Sequence, residues 1–239
     1  MIKNFTIYGE RHTGTNLLQA SLTGASFYHK DKVSADIPVT WDYGWKHFFG
    51  WKNEEIKKQG QNTLFLGIVR NPYDWIMAMH NIKHHIPKTN YELHNFLTNE
   101  WYSVSRNKNT KPSNQIRTAP FFKPKIKQQK VFEEIMTDRN LKTKERYRNI
   151  FELRAVKLDY LYNTMPTIAQ NYEFIRYEDL CSQYPTIITN ILDKYQINYS
   201  EPSIQIKDKK PYAISQEVKT IIDTHIDWDI ENQVGYNKR

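Results

Sequence analysis

The chain has one cysteine, Cys181. That excludes an intramolecular disulfide and suits a reducing compartment. No apolar run approaches the ~20 residues of a membrane span, and no internal repeat is apparent. The sequence opens directly on a strand pattern at Phe5–Tyr8, so no secretory leader is expected and the expectation is a soluble, cytoplasmic protein. Acidic residues are in deficit, 26 Asp and Glu against 34 Lys and Arg, for a formal charge of +8. Such a surplus suits an anionic partner: nucleic acid, a membrane surface, a phosphorylated nucleotide or an acidic glycan. Charge alone does not choose among them.

What is present begins with a core. Hydrophobic residues at 39% and aromatics at 14% of 239 residues are enough for one α/β domain spanning 1–239. The first sixteen residues carry the clearest pattern. An apolar run (Phe5, Ile7, Tyr8) breaks at Gly9, turns through Gly14 and enters a helical stretch at Leu17-Leu18. Strand, glycine-bounded loop and helix N-terminus in succession make an anion cradle, because backbone amides converge there and the helix dipole adds about half a positive charge.

The spacing Gly9-x-x-x-x-Gly14 matches the nucleotide P-loop, whose full signature continues with Lys and then Ser or Thr. Here Thr15 stands in place of the Lys, and Asn16 replaces the Mg²⁺-binding hydroxyl. A kinase or nucleotide hydrolase needs both the cation and the metal. The loop keeps the phosphate cradle, loses the metal site, and brings Arg11 and His12 before its second glycine. A strand-to-helix turn of purely structural origin is the plain alternative.

Gly9-Glu-Arg-His-Thr-Gly-Thr-Asn16 resembles the 5′-phosphosulfate loop of sulfotransferases, which move a sulfuryl group from 3′-phosphoadenosine 5′-phosphosulfate (PAPS). The resemblance implies a P-loop-like sulfotransferase fold without Mg²⁺ at the donor. It implies donor contacts from Arg11, His12, Thr13, Gly14, Thr15 and Asn16, with Arg11 or His12 at the transferred group. Arg70-Asn-Pro-Tyr-Asp74 resembles the 3′-phosphate motif of the same family. A guanidinium at a strand end forks two phosphate oxygens, which a lysine does not. Asp74 is expected to cap the following helix or to orient Arg70. The family usually has a serine eight residues after this arginine; here that residue is Ala78. Ser103, Ser105, Lys209 and Lys210 are the candidates for its phosphate contact. In cytosolic members a histidine preceded by lysine stands a little over twenty residues before the arginine, and Lys46-His47 fits that place. Arg176-Tyr-Glu-Asp-Leu180 and Val234-Gly-Tyr236 are further, weaker points of resemblance.

The remaining chain alternates strands with helices. Thr63–Val69 reads as a strand buried on both faces, followed by a helix from Tyr73 to about His85 with Pro72 in its first turn. Further strands are expected at Ala25–His29, Tyr172–Tyr177 and Ser203–Lys207. Further helices are expected across Val131–Asn163, broken near Asp138–Thr143, then over Pro185–Tyr195 and Ser215–Trp228. The stretch 103–130 is a basic excursion, read either as a solvated loop or as an acceptor-binding lid, and expected to be mobile. The sum is a three-layer α/β/α fold with a central parallel sheet, whose ligands bind at the carboxyl ends of the strands.

Arg11/His12, Lys46/His47 and Arg70 would then meet at one edge. His47 is the candidate general base and Lys46 helps stabilise charge on the bridging oxygen; a packed histidine among Trp45, Phe48 and Phe49 is the structural alternative. His80, His84 and His85 follow on the helix after Pro72. The spacing of His80 and His84 suits a metal, but no Glu-x-x-His context or cysteine supports one, so no metal is expected. The expected activity is metal-independent sulfuryl transfer from PAPS, with 3′,5′-ADP as product. The expected acceptor is a small molecule or glycan: the aromatics Trp41, Trp45, Trp51, Trp101 and Tyr102 suit a sugar or an acidic glycan, with a small phenol or a peptide tyrosine as the alternatives. The alternatives are a divergent P-loop kinase or nucleotide hydrolase and a basic nucleic-acid-binding module. The second has no recognised single-strand or helix-turn-helix signature, and no nucleic-acid partner is expected.

Overall fold

The structure, a computed structural model, describes residues 1–23, 35–105, 134–200, 206 and 210–239. It is a mixed α/β protein built on three parallel strands, β1 (Asn4–Tyr8), β2 (Thr63–Val69) and β3 (Tyr172–Arg176), in the order β1-β2-β3. The helices, in chain order, are α1 (Thr15–Thr23), α2 (Asn53–Gln59), α3 (Pro72–Asn81), α4 (Leu93–Thr98) and α5 (Ile150–Asp159), then α6 (Met165–Ile168), α7 (Tyr177–Ser182), α8 (Thr186–Lys194), α9 (Gln216–His225) and α10 (Trp228–Gln233). Among the described residues no helix is long and apolar enough to cross a membrane.

Every residue of β2 is buried, as its unbroken apolar run requires of a central parallel strand. Side chains alternate across the sheet. Phe5, Ile7, Leu64, Leu66, Ile68 and Ile175 pack against Leu18 and Leu22 of α1 and Ile188, Ile191 and Leu192 of α8. On the opposite face Tyr8, Phe65 and Val69 meet Leu158, Met165, Ile168 and Ile230. A third cluster joins α3, α4, α5 and α9 around Trp75, Phe96, Trp101, Phe151 and Ile222. Gly67 sits mid-strand for a specific reason. A Cβ there would fall 2.1 Å from the Tyr172 hydroxyl, which donates to the Leu161 carbonyl at 2.6 Å.

Parallel pairing sets the strand ends side by side. Tyr8 is in register with Gly67, and Val69 with Arg176, so the chain leaves the sheet at Gly9, Arg70 and Tyr177 along one edge. Beyond β1, Phe5 pairs in parallel with Val39, through Phe5 N–H to Pro38 O at 3.0 Å and Thr40 N–H to Phe5 O at 2.7 Å. This bridge delivers the Trp41–Gly50 segment to the same edge.

Several boundaries differ from the sequence expectation. The helix predicted from Tyr73 to His85 ends at Asn81, so His84 is not one helical turn from His80. Of the predicted helical span Val131–Asn163, with its break near Asp138–Thr143, the described residues form an α-helix from Ile150, where the Asn149 side chain accepts from Glu152 N–H, and it runs on through a π-helical turn, Tyr160–Thr164. Met136–Asp138 is a 3₁₀ turn instead. The last predicted helix, Ser215–Trp228, ends at His225, and a separate helix starts at Trp228, where the Asp227 side chain accepts from the amides of Asp229 and Ile230. The expected strand Ala25–His29, nearly all of the strand expected at Ser203–Lys207, and the basic excursion from Arg106 onward lie outside the described residues.

Candidate anion-binding site

The loop between β1 and α1 is held from several sides. Gly9 N–H donates to Lys46 O at 2.9 Å, and Gly9 O accepts from His47 Nδ1 at 2.7 Å. One residue therefore ties the Trp41–Gly50 segment to the end of β1. A side chain at Gly9 would put its Cβ 2.5 Å from Ile68 O. Thr13 closes a turn onto Glu10 O, with its hydroxyl at 2.6 Å and its amide at 3.2 Å. Trp75 Nε1 reaches from α3 to Arg11 O at 2.9 Å. His12 has φ +64° and Gly14 φ +102°, left-handed conformations that glycine adopts easily and histidine only under constraint. Leu18 N–H to Gly14 O at 2.9 Å opens α1. Among the described residues none accepts from the amides of Gly14, Thr15 and Asn16.

Lys46 Nζ donates to Asn16 Oδ1 and lies 5.4 Å from the centre of the Trp45 ring. Partial burial lowers its pKa. His47 is buried. A carbonyl only accepts, so the bond to Gly9 O places the imidazole hydrogen on Nδ1 and leaves Nε2 with its lone pair. Burial holds the His47 imidazole well below the ordinary histidine value, and the Arg11 cation pushes the same way.

Four cationic side chains are buried among the described residues: Arg11, Arg70, Arg154 and Lys157. Arg11 pairs with Asp138 and Glu10, Arg154 with Glu231, and Lys157 with Glu10 and Asp138. Arg70 is 7% exposed and forms no ion pair with a described carboxylate. Its guanidinium lies 4.8 Å from the Tyr177 ring centre and 5.9 Å from that of Tyr212. It reaches the loop through Nη1 to His12 O at 3.4 Å. Buried charges are normally paired, so a buried guanidinium between two tyrosines and facing a loop of open amides points to an anion.

The structure thus brings Lys46, His47 and Arg70 to the Gly9–Asn16 loop. Arg11 turns the other way. It is 1% exposed and commits Nη1 and Nη2 to Asp138, with Ser103 Oγ 2.5 Å from Nη2. Ser103 is therefore part of the Arg11 cluster and no partner of Arg70. His12 is half-buried, with Nε2 3.1 Å from Ile82 O; burial lowers its pKa. Thr13 and Thr15 are buried. Lys210 is exposed, and Lys209 lies outside the described residues. The helix cap expected of Asp74 is made by Asn71, which accepts from the amides of Tyr73 and Asp74. Asp74 itself accepts from Tyr212 N–H at 3.0 Å, so it holds one of the rings beside Arg70.

Of the expected aromatic entrance, Trp101 is fully buried and Trp51 is pinned to Thr137 O at 2.6 Å. Tyr102 is half-buried under the Arg146 guanidinium, 3.7 Å from its ring centre, and Trp41 and Trp45 remain, half-buried, with ring centres 4.9 Å apart. Asp138, Lys157, Arg154, Tyr177 and Tyr212 were not singled out from the sequence for the site. The one available signal was a pair of cations, Arg154 and Lys157, inside the apolar pattern Leu153, Val156, Leu158. Among the described residues no group of three or more His, Cys, Asp or Glu is placed to hold a metal ion. Comparison of the chain with protein-family models, with curated proteins and with solved structures gives no match.

Proposed function

We propose that the chain is a sulfotransferase taking the sulfuryl group from PAPS to an acceptor hydroxyl, and that the reading rests on one observation: Arg70, buried, is paired with no carboxylate among the described residues and lies beside a loop whose amides of Gly14, Thr15 and Asn16 meet no described acceptor. In this reading Arg70 takes the 3′-phosphate of the donor, with Tyr177 and Tyr212 beside it. The amides of Gly14, Thr15 and Asn16, at the positive end of α1, take the 5′-phosphosulfate. Lys46, steadied by Asn16, supplies positive charge to the bridging oxygen as the S–O bond breaks. The acceptor oxygen forms the new bond to sulfur, its proton passes to His47 Nε2, and 3′,5′-ADP leaves. Arg11, engaged internally, shapes the loop and takes no part in contact with the donor. Thr15 and Asn16 replace the residues that would serve Mg²⁺ in a P-loop, so the proposed transfer is metal-independent. The Trp41/Trp45 pair beside Lys46 suits a sugar ring, whose C–H face stacks on indoles while the ammonium meets its polar edge.

The test is thermal shift and calorimetry with 3′,5′-ADP, ADP and ATP, with and without Mg²⁺. A ligand at a hundred times its Kd stabilises by about 2.7 kcal/mol, roughly 5–10 °C for a chain of this size. The expected result is that shift with 3′,5′-ADP alone, and at least a tenfold weaker Kd in Arg70→Ala. Preference for ATP with Mg²⁺ would instead establish the kinase class, and equal affinity in Arg70→Ala removes the 3′-phosphate assignment. Trp45→Ala is expected to raise KM for a glycan acceptor about tenfold, the worth of one lost stacking contact, with the Kd for 3′,5′-ADP unchanged. An unaltered KM would sink the sugar platform.

A further inference from the structure

Helix α5 is buried along most of its length, yet carries two buried cations one turn apart, Arg154 and Lys157. Withdrawing ions from water is costly, and replacing buried ion pairs by apolar side chains is often neutral or stabilising. Stability therefore does not account for them. What the two share is a hydrogen bond to the backbone of a site residue. Lys157 Nζ, besides meeting Glu10 Oε2 at 2.5 Å and Asp138 Oδ1, donates to the carbonyl of His47 at 2.8 Å. Arg154, besides its fork onto Glu231, donates Nη2 to the carbonyl of Arg70 at 2.9 Å. Its guanidinium also lies 5.1 Å from the Trp75 ring centre, and Trp75 is the residue that holds Arg11 O.

We infer that α5 is the strut of the site: Lys157 positions the His47 turn against the Gly9 loop, and Arg154 positions Arg70. Neither touches the ligand; each fixes the backbone of a residue that does. The anchors belong to one rigid helix at a spacing of three residues, which places them on one face. The distance between the proposed base and the proposed phosphate anchor is therefore set by α5 rather than by the loops that carry them. Catalytic geometry tolerates displacements of only about half an ångström, which explains ionic supports in place of cheaper apolar ones. The inference rests on the roles given above to His47 and Arg70, but its structural core is testable without them.

Two charge-balanced variants test it: Lys157→Met with Glu10→Gln, which leaves Arg11 facing Asp138, and Arg154→Met with Glu231→Gln, which leaves no ion unpaired. Hydrogen exchange is read at Gly9, whose amide donates to Lys46 O, at Asn71, whose amide donates to Glu178 at 2.9 Å, and along β2. The expected result is exchange at least tenfold faster at Gly9 in the Lys157 variant and at Asn71 in the Arg154 variant, with β2 as in wild type. The Kd for 3′,5′-ADP is expected to weaken at least fivefold in the Arg154 variant and to hold in the Lys157 variant, whose turnover falls at least tenfold. Wild-type exchange at both amides, or a uniform rise that includes β2, overturns the inference. If either variant does not fold, Lys157→Arg and Arg154→Lys keep the charge while moving the donor, and the same local rise is required of them. A wild-type protein that ignores 3′,5′-ADP defeats the sulfotransferase reading alone; the exchange result then still decides whether α5 is the strut.

Discussion

At the scale of single residues, His47 is the group whose surroundings say most about its chemistry. A buried imidazole next to Arg11 and Lys46 is expensive to protonate, and its pKa lies well below the ordinary 6.5. Its Nδ1–H is taken by Gly9 O, so the basic nitrogen is Nε2, and among the described residues nothing hydrogen-bonds it. A base of this kind is unprotonated throughout the neutral range. The acid limb of the kcat/KM profile, which reports the free enzyme, is accordingly expected below 6.5, since activity is lost only where His47 takes up a proton. His47→Ala is expected to lose about 10²–10⁴-fold in turnover, the usual worth of general base catalysis, with the Kd for 3′,5′-ADP within twofold of wild type. Steady-state sulfuryl transfer and calorimetry on the two proteins decide it. Wild-type turnover in the variant would remove His47 from the mechanism and leave it a packed histidine.

At the scale of elements, the β1–loop–α1 unit depends on Gly14. Its φ of +102° suits glycine, and a Cβ there would stand 2.5 Å from Cδ2 of Tyr177, the ring that also covers Arg70. Gly14→Ala is expected to destabilise the fold by about 1–3 kcal/mol from backbone strain and to displace Tyr177, weakening 3′,5′-ADP binding as well. Denaturant unfolding together with calorimetry would show both losses; a variant with unchanged stability would mean that the loop has room it is not seen to have. This unit was legible in the sequence because its signals are local: an apolar run, two glycines, then helix formers. The same holds for β2, whose seven apolar and small residues announced a central strand, and for Pro72 in the first turn of α3; the cap of that helix was expected of Asp74 and is made by Asn71. The direction of Arg11 was not legible. The carboxylate that turns it inward, Asp138, is 127 positions away in the chain, and no periodicity reports such a pairing. The helical segment expected ahead of the break near Asp138–Thr143 is not formed at Met136–Asp138 for a related reason. Met136–Asp138 has helical residues in sequence, but the segment is drawn into the Ser103 and Arg11 cluster, where Ile135 N–H bonds Ser103 O at 2.7 Å.

At the scale of the whole molecule, the buried charges make stability a function of pH with a definite sign. Burial pushes the Glu10 carboxyl up, but the Arg11 and Lys157 cations outweigh it and hold the group below its ordinary 4.5. Its contribution is present above about 4.5 and is lost as pH falls through the folded value. His47 is likewise depressed in the fold, from 6.5, so its contribution is present above 6.5 and is lost as pH falls below it. His12, lowered chiefly by burial, acts in the same direction. For all three the unfolded chain binds more protons than the folded one, and acidification favours unfolding. The free energy of unfolding is therefore expected to decline in two stages. A first decline begins just below pH 6.5, from the histidines, and a second below pH 4.5, from Glu10. The stages separate by substitution, because each variant removes one titration and leaves the other. His47→Gln should flatten the first, in part, since His12 remains. Glu10→Gln should flatten the second, while lowering stability at pH 7 because Lys157 and Arg11 lose a buried partner. Guanidinium unfolding at half-unit steps from pH 7.5 to 3.5 measures both. A wild-type curve level between pH 7 and 5, or a His47→Gln curve parallel to it, would show that the imidazole is not held neutral by the fold, and the tautomer argument for Nε2 as the acceptor of the proton would go with it.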